Sequence, residues 1–94
     1  MRITRVIWLR EIVDKLDWKH NVSTSEVEET LRARPRFRLM ERGRVHGEDM
    51  YAAMGQTDEG RYLIVYFIHK SDGAALIISA RDMDKKERRQ YERK

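Results

Sequence analysis

The sequence predicts a small α+β domain: a short strand and two helices, then an antiparallel four-stranded meander, then a short polar helix. Three observations carry this reading. Apolar residues recur at helical spacing up to about residue 34 and at strand spacing over residues 36–80, and the only proline, Pro35, stands between the two regimes. Two turns, Thr57-Asp58-Glu59-Gly60 and Lys70-Ser71-Asp72-Gly73, put Asp and Gly where tight antiparallel hairpins need them. Two capping boxes, Ser23 with Glu26 and Asp84 with Glu87, mark where helices begin.

Taken in order, residues 3–8 form a short strand, and Ile12, Val13 and Leu16 give the first helix an apolar stripe. That helix ends near Lys19-His20, with Asn21 able to take the left-handed stop conformation. In the second helix the Ser23 hydroxyl accepts from the Glu26 amide, and Val22 and Val27 form a hydrophobic staple. The helix passes Leu31 and stops before Pro35, because a residue preceding proline avoids the helical region. Strands follow over residues 37–40, 50–55, 62–69 and 75–80. The third of these is apolar on both faces and is therefore central, covered at least in part by the two helices. Simple alternation places Arg81 on the same side as Ile77 and Ser79. The closing helix, residues 85–93, has one apolar side chain, Tyr91, and is too short and polar to persist in water without docking.

Composition narrows the function classes. The 94 residues make one domain, 1–94, small enough that a partner adding buried surface would help it. Hydrophobic residues make up 40% and charged residues 38%, with 20 basic against 16 acidic side chains, which describes a folded core under a highly charged skin. A net charge of +4 suits nucleic acid or an acidic protein partner. The absence of cysteine excludes a disulfide framework and thiolate zinc sites. No apolar run is long enough for a signal peptide or a membrane span, so a cytoplasmic location is expected. The three histidines, His20, His46 and His69, fall on separate elements without regular spacing, and neither a metal nor a cofactor is expected.

The order of elements, together with Lys19-His20-Asn21-Val22-Ser23, Gly55-Gln56-Thr57 with Gly60-Arg61-Tyr62-Leu63, and Ile77-Ile78-Ser79-Ala80-Arg81 with Glu87-Arg88 and Tyr91-Glu92, resembles the BrnT toxin family. The resemblance runs over about residues 6–92, and the closing motif is its specific part. It implies a RelE-like fold and an endoribonuclease that arrests growth, cleaving RNA without metal through attack of the ribose 2′-hydroxyl on the adjacent phosphate. It also implies a ribbon-helix-helix antitoxin of the BrnA type, with DNA engaged only through that partner, and RNA lying against the concave face of the sheet. Relatives commonly carry Trp-Asp near the start, then Lys and Asn on the first helix and an arginine before the second meander strand. This chain keeps Trp8 but has Leu9, Ile12, Leu16 and Met50 at the other four positions.

Such chemistry needs a base, an acid and cations for the developing phosphate charge. Arg81, Arg61, Tyr91 and His20 are the catalytic candidates, and Lys19, Tyr51 and Arg88 the RNA-binding ones. Each has a second reading. Arg81 presents paired donors to a phosphate, or pairs with Asp82, Asp84 or Glu87. Arg61 is a site cation or a solvated turn residue, and Arg88 joins Arg81 around an anion or is an ordinary helix-surface charge. Tyr51 and Tyr91 stack on bases or pack, Tyr91 being the anchor of its helix. His20 moves a proton or ends a helix, where the dipole favours a cation. The alternative to the ribonuclease is a catalytically weak module that keeps the antitoxin-binding surface and acts as a co-repressor.

Overall fold

A computed structural model describes residues 1–93. Its elements are β1 (Arg5–Ile7), α1 (Arg10–Lys15) continuing into a wider π turn (Leu16–His20), α2 (Thr24–Arg32), β2 (Arg36–Glu41), β3 (Asp49–Gln56), β4 (Tyr62–His69), β5 (Ala74–Asp82) and α3 (Lys85–Glu92). Among the described residues no helix is long and apolar enough to cross a membrane.

The strands form one five-stranded mixed sheet, ordered β1-β5-β4-β3-β2, in which β1 runs parallel to β5 and the other pairs are antiparallel. The expected four-stranded meander is therefore corrected to five strands. Left as an edge, β5 would present unpaired backbone groups; β1 pairs with Ala74, Ala75 and Leu76, and Thr4 N–H donates to the Gly73 carbonyl at 3.0 Å. Gly73 has φ +93°, and a Cβ there would sit 2.7 Å from Thr4 Cγ2, so the turn and the approach of the N-terminal segment both call for glycine.

Local signals place both helices on the sheet. The first ends in a left-handed cap: Asn21, at φ 53°, donates its N–H to the Asp17 carbonyl at 3.1 Å, and Val22 N–H closes a wider turn on the Leu16 carbonyl at 3.0 Å. The Ser23–Glu26 capping box is closed in both directions. Val22 and Val27, which flank that box, are buried at 2% and 0% exposure, as a staple requires. Thr30 is fully buried but satisfied, its hydroxyl donating to the Glu26 carbonyl at 2.8 Å. Beneath it Gly55 lets α2 lie close on β3: a Cβ there would meet Thr30 Cγ2 at 3.1 Å and Pro35 Cβ at 3.2 Å.

Leu63, Val65 and Phe67 point from β4 into the helix-side core with Leu16, Val22, Val27, Ile77 and Ala80. Burial of side chains this large stabilises the fold by roughly 1.5–3 kcal/mol each. The opposite face of β4 is covered by α3, with Met83 and Tyr91 over Ala52, Met54 and Ile64, and not by the first two helices. The β4–β5 register steps between Tyr66↔Ser79 and Phe67↔Ile77, leaving Ile78 as a bulge. One extra residue reverses alternation beyond it. Ile77 and Ala80 both face α1 and α2, while Arg81 pairs with Ile64 on the α3 side, correcting the expectation that Arg81 shares a side with Ile77.

Asn21→Ala should cost about 1 kcal/mol in urea unfolding and Asn21→Gly almost nothing, because only the former strains a left-handed residue. Equal effects would mean that the helix stop does not depend on that conformation.

Candidate site where strand β5 meets helix α3

Two arginines meet the end of β5 from opposite faces. On the α3 side Arg81 forms a fork with Glu87, Nη1 to Oε1 at 2.7 Å and Nη2 to Oε2 at 2.8 Å. Its Nη2 also donates to the Tyr66 hydroxyl at 3.0 Å and its Nη1 to the Asp82 carbonyl at 3.1 Å. Glu87 further accepts from the Asp84 amide at 2.9 Å, and the Asp84 carboxylate receives the Glu87 amide at 2.7 Å, so one carboxylate serves both the capping box and the arginine. Of the three carboxylates considered as partners for Arg81, the structure selects Glu87.

On the helix side Arg61 rises from the start of the β3–β4 hairpin's second strand. Its Nε and Nη2 donate to Asp82 at 2.7 and 3.2 Å, and its Nη1 to the Asn21 carbonyl at 2.7 Å and to both Glu26 oxygens at 3.1 and 3.2 Å. Nη2 reaches the His20 carbonyl at 3.1 Å as well. Every nitrogen of the guanidinium is engaged with protein, including two carbonyls at a helix C-terminus that would otherwise lack donors. His20 thus contributes through its backbone, and its ring lies near enough to Asp82 to add to the electrostatic stabilisation of that carboxylate. Lys19 beside it is exposed.

Three carboxyls here lie below their ordinary values. Asp82 is lowered first by hydrogen bonds from Arg61, and Glu87 by those from Arg81. For Glu26 burial opposes the charge, but the Ser23 amide and Arg61 together outweigh it.

The remaining candidates fall into two groups. Tyr91 packs with the α3-side cluster and meets Tyr62 edge-on, with centroids 5.9 Å apart. Arg88 lies over the Tyr62 ring at 3.9 Å, so it and Arg81 have separate partners. Tyr51 is elsewhere: it stacks on Phe67 in the helix-side core and borders a recess of about 190 Å³ shared with His46, His69 and Lys70. Sequence reasoning missed Tyr66, which binds Arg81, and also Arg36 and Arg38. Pairing with Met54 and Ala52 sets these two arginines on the α3 side, and Arg36 Nη1 donates to the Gln90 carbonyl at 3.2 Å. Their alternation around Phe37 was the available signal. Leu9 is the α1 N-cap and makes no side-chain cap bond, whereas Leu16 is buried in the core. Ile12 packs half-buried against that core, and Met50 pairs with Ile68 on the α3-side face. Among the described residues no three His, Asp or Glu side chains converge as a metal would require.

The family described as "Ribonuclease toxin, BrnT, of type II toxin-antitoxin system" matches the chain over residues 14–87. The match takes in both arginine nodes and ends before Arg88 and Tyr91. No curated protein matches the chain significantly.

Arg61→Met should lower stability by about 2 kcal/mol at pH 7, since it leaves two carboxylates and two helix-end carbonyls without their donor, with part of the contribution already screened at exposed Asp82. Carboxyls with depressed folded values stabilise above their unfolded values, here 4.5 for Glu26 and 3.8 for Asp82, and lose that contribution as pH falls. The gap between wild type and variant should therefore narrow toward pH 3 in urea titrations. An equal gap at both pH values would assign the brace to the carbonyls alone.

Proposed function

We propose, from the premise that this chain belongs to the BrnT family of ribonuclease toxins of type II toxin-antitoxin systems, that it cleaves RNA without metal and is held silent by a ribbon-helix-helix antitoxin. The family match over residues 14–87 is the observation that carries this reading. The order of helices and strands around an open sheet supports a RelE-like fold.

The reaction is an in-line transfer. The ribose 2′-oxygen bonds to phosphorus, the 5′-oxygen leaves, a base takes the 2′-proton and an acid supplies one to the leaving oxygen. We assign the cation of this step to Arg81. It is about one-third exposed, it lies on the face opposite α1 and α2, and its fork matches two phosphate oxygens as well as it matches Glu87. With Glu87 exchanged for a phosphate, the Tyr66 hydroxyl, 3.0 Å from Arg81 Nη2, would lie beside the bound anion as the candidate acid. Arg36 and Arg38 on the same face would track the RNA backbone, with Tyr62, Tyr91 and Arg88 at its edge. Arg61 is assigned to architecture, since its donors are committed.

A second reading, a binding module without ribonuclease activity, is favoured by one observation: both arginines that the motifs single out are already paired with carboxylates.

Expression of the chain alone should arrest growth and fragment RNA, and Arg81→Ala should reduce cleavage by a hundredfold or more, on the order of 3 kcal/mol of transition-state stabilisation. Glu87→Gln separates the roles, because it weakens the grip on α3 while keeping the cation: activity retained in Glu87→Gln and lost in Arg81→Ala supports the assignment. Equal losses in both would make Arg81 a brace, and a harmless, folded wild type would favour the binding module.

Cleavage should persist in excess chelator and leave a 2′,3′-cyclic phosphate terminus, detectable by resistance to 3′-end ligation until the ring is opened and the phosphate removed. Activity abolished by chelator and restored by magnesium would refute the metal-free route.

A further inference from the structure

A recess of about 530 Å³ lies away from Arg81, on the helix side, between the N-terminal segment, the C-terminal half of α2 and the start of β2. Its floor is aliphatic and aromatic: Ile3, Val6, Leu31 and Phe37 pack half-buried against the core from outside, with Pro35 closing one wall. Apolar surface gathered in a concavity on so charged a chain is the usual mark of a binding surface. The rim is basic. Arg32 and Arg34 are exposed and, among the described residues, make no ion pair, while Arg5 is tied to Asp72 at 2.9 Å. The one carboxylate on the lining, Glu28, is engaged by Trp8 Nε1 at 3.0 Å.

Arg34 supplies a second, independent pointer. It follows the end of α2 with φ +52°, immediately before Pro35. Proline disfavours the right-handed helical conformation for its predecessor, but the left-handed one costs a non-glycine residue roughly 1 kcal/mol, which Gly would avoid. The chain carries an arginine at this strained position, and the position is on the groove. An outlier of this kind is a reason to look for function.

We propose that this groove is the antitoxin-docking site. Resting on the toxin reading above, it takes an amphipathic acidic segment of the antitoxin, whose apolar side chains fill the Ile3–Val6–Leu31–Phe37 floor and whose carboxylates pair with Arg32 and Arg34. The chemistry selects a protein segment over RNA. The floor side chains carry no polar groups to read a base, and their aliphatic bulk suits the apolar side chains of a peptide, while guanidinium forks at the rim match its carboxylates. The recess is too small to be a whole interface, which typically buries about 1,600 Å², and so acts as its anchor.

The test is calorimetric titration of the full chain with the full-length antitoxin of its operon, at low and high salt, comparing wild type with Arg32→Glu/Arg34→Glu. The expected result is an affinity at least about tenfold weaker for the variant at low salt, with the salt dependence of wild type largely gone and RNA cleavage by the free variant unchanged. Ile3→Glu, which puts a carboxylate into the floor, should weaken binding at both salt concentrations. Affinity within twofold of wild type in the double variant overturns the proposal. So does intact affinity with lost RNA cleavage, which would give the arginines to RNA, or a self-associated chain that the double variant dissociates, which would give the groove to a second copy. If the wild-type chain cleaves no RNA, the catalytic reading fails, yet the titration still decides the groove.

Discussion

Arg61 donates to the carbonyls that end the first helical segment, to the carboxylate that caps the second helix and to the carboxylate that ends β5. Without that guanidinium, the helix end would present two unsatisfied carbonyls beside Glu26 and Asp82, two acids then facing each other with no cation between them. The bond network therefore fixes the α1–α2 corner against the end of the sheet. It also sets the direction in which β5 delivers its next residues. Asp82 occupies Arg61 with its side chain and Arg81 with its carbonyl, so a brace on one face of the sheet positions a cation on the other.

That arrangement separates two roles the motifs left merged. Arg61 and Arg81 both read as candidate site cations by residue type and by their places beside a turn and at a strand end. What distinguishes them is connectivity: Arg61 closes six hydrogen-bond contacts across several elements, while Arg81 is anchored chiefly by one carboxylate and one phenol on an open face. A guanidinium held mainly by a single Glu fork can exchange that fork for a phosphate at modest cost, since the geometry of the two acceptors is nearly the same. One shared among two helix-end carbonyls and two acids cannot leave without exposing all of them.

Much of this architecture is legible in single residues, because its cause is local. Ser23 with Glu26, Asp84 with Glu87, Asn21 before Val22, and Pro35 between two periodicities each specify a backbone event within a few positions, and the helices and hairpins follow them. The parts that escaped depend on partners distant in the chain. The bulge at Ile78 carries no Gly or other marker in its own strand, and it arises from the register with β4. Because it moves Arg81 to the other face, an alternation argument run through Ile77 fails there by one residue. The pairing of β1 with β5 joins residues about seventy positions apart, and Tyr66 was hidden in a strand whose composition reads as uniformly apolar. The carboxylates competing for Arg81 were legible, and three-dimensional packing was needed to choose Glu87 among them.

The same bulge has a consequence for how a toxin of this shape could be silenced. Since Arg81, Arg36 and Arg38 lie on the α3 side and the apolar groove lies on the helix side, a segment seated only in the groove would leave the cationic face open to RNA. β2 is the edge strand between them, carrying Phe37 toward the groove side and Arg36 and Arg38 toward the other. An edge strand offers unpaired backbone donors and acceptors along its free side. A partner anchored in the groove that continues along β2 would meet those groups first and the two arginines next, so docking and neutralisation would be successive contacts of one chain, separable by shortening it.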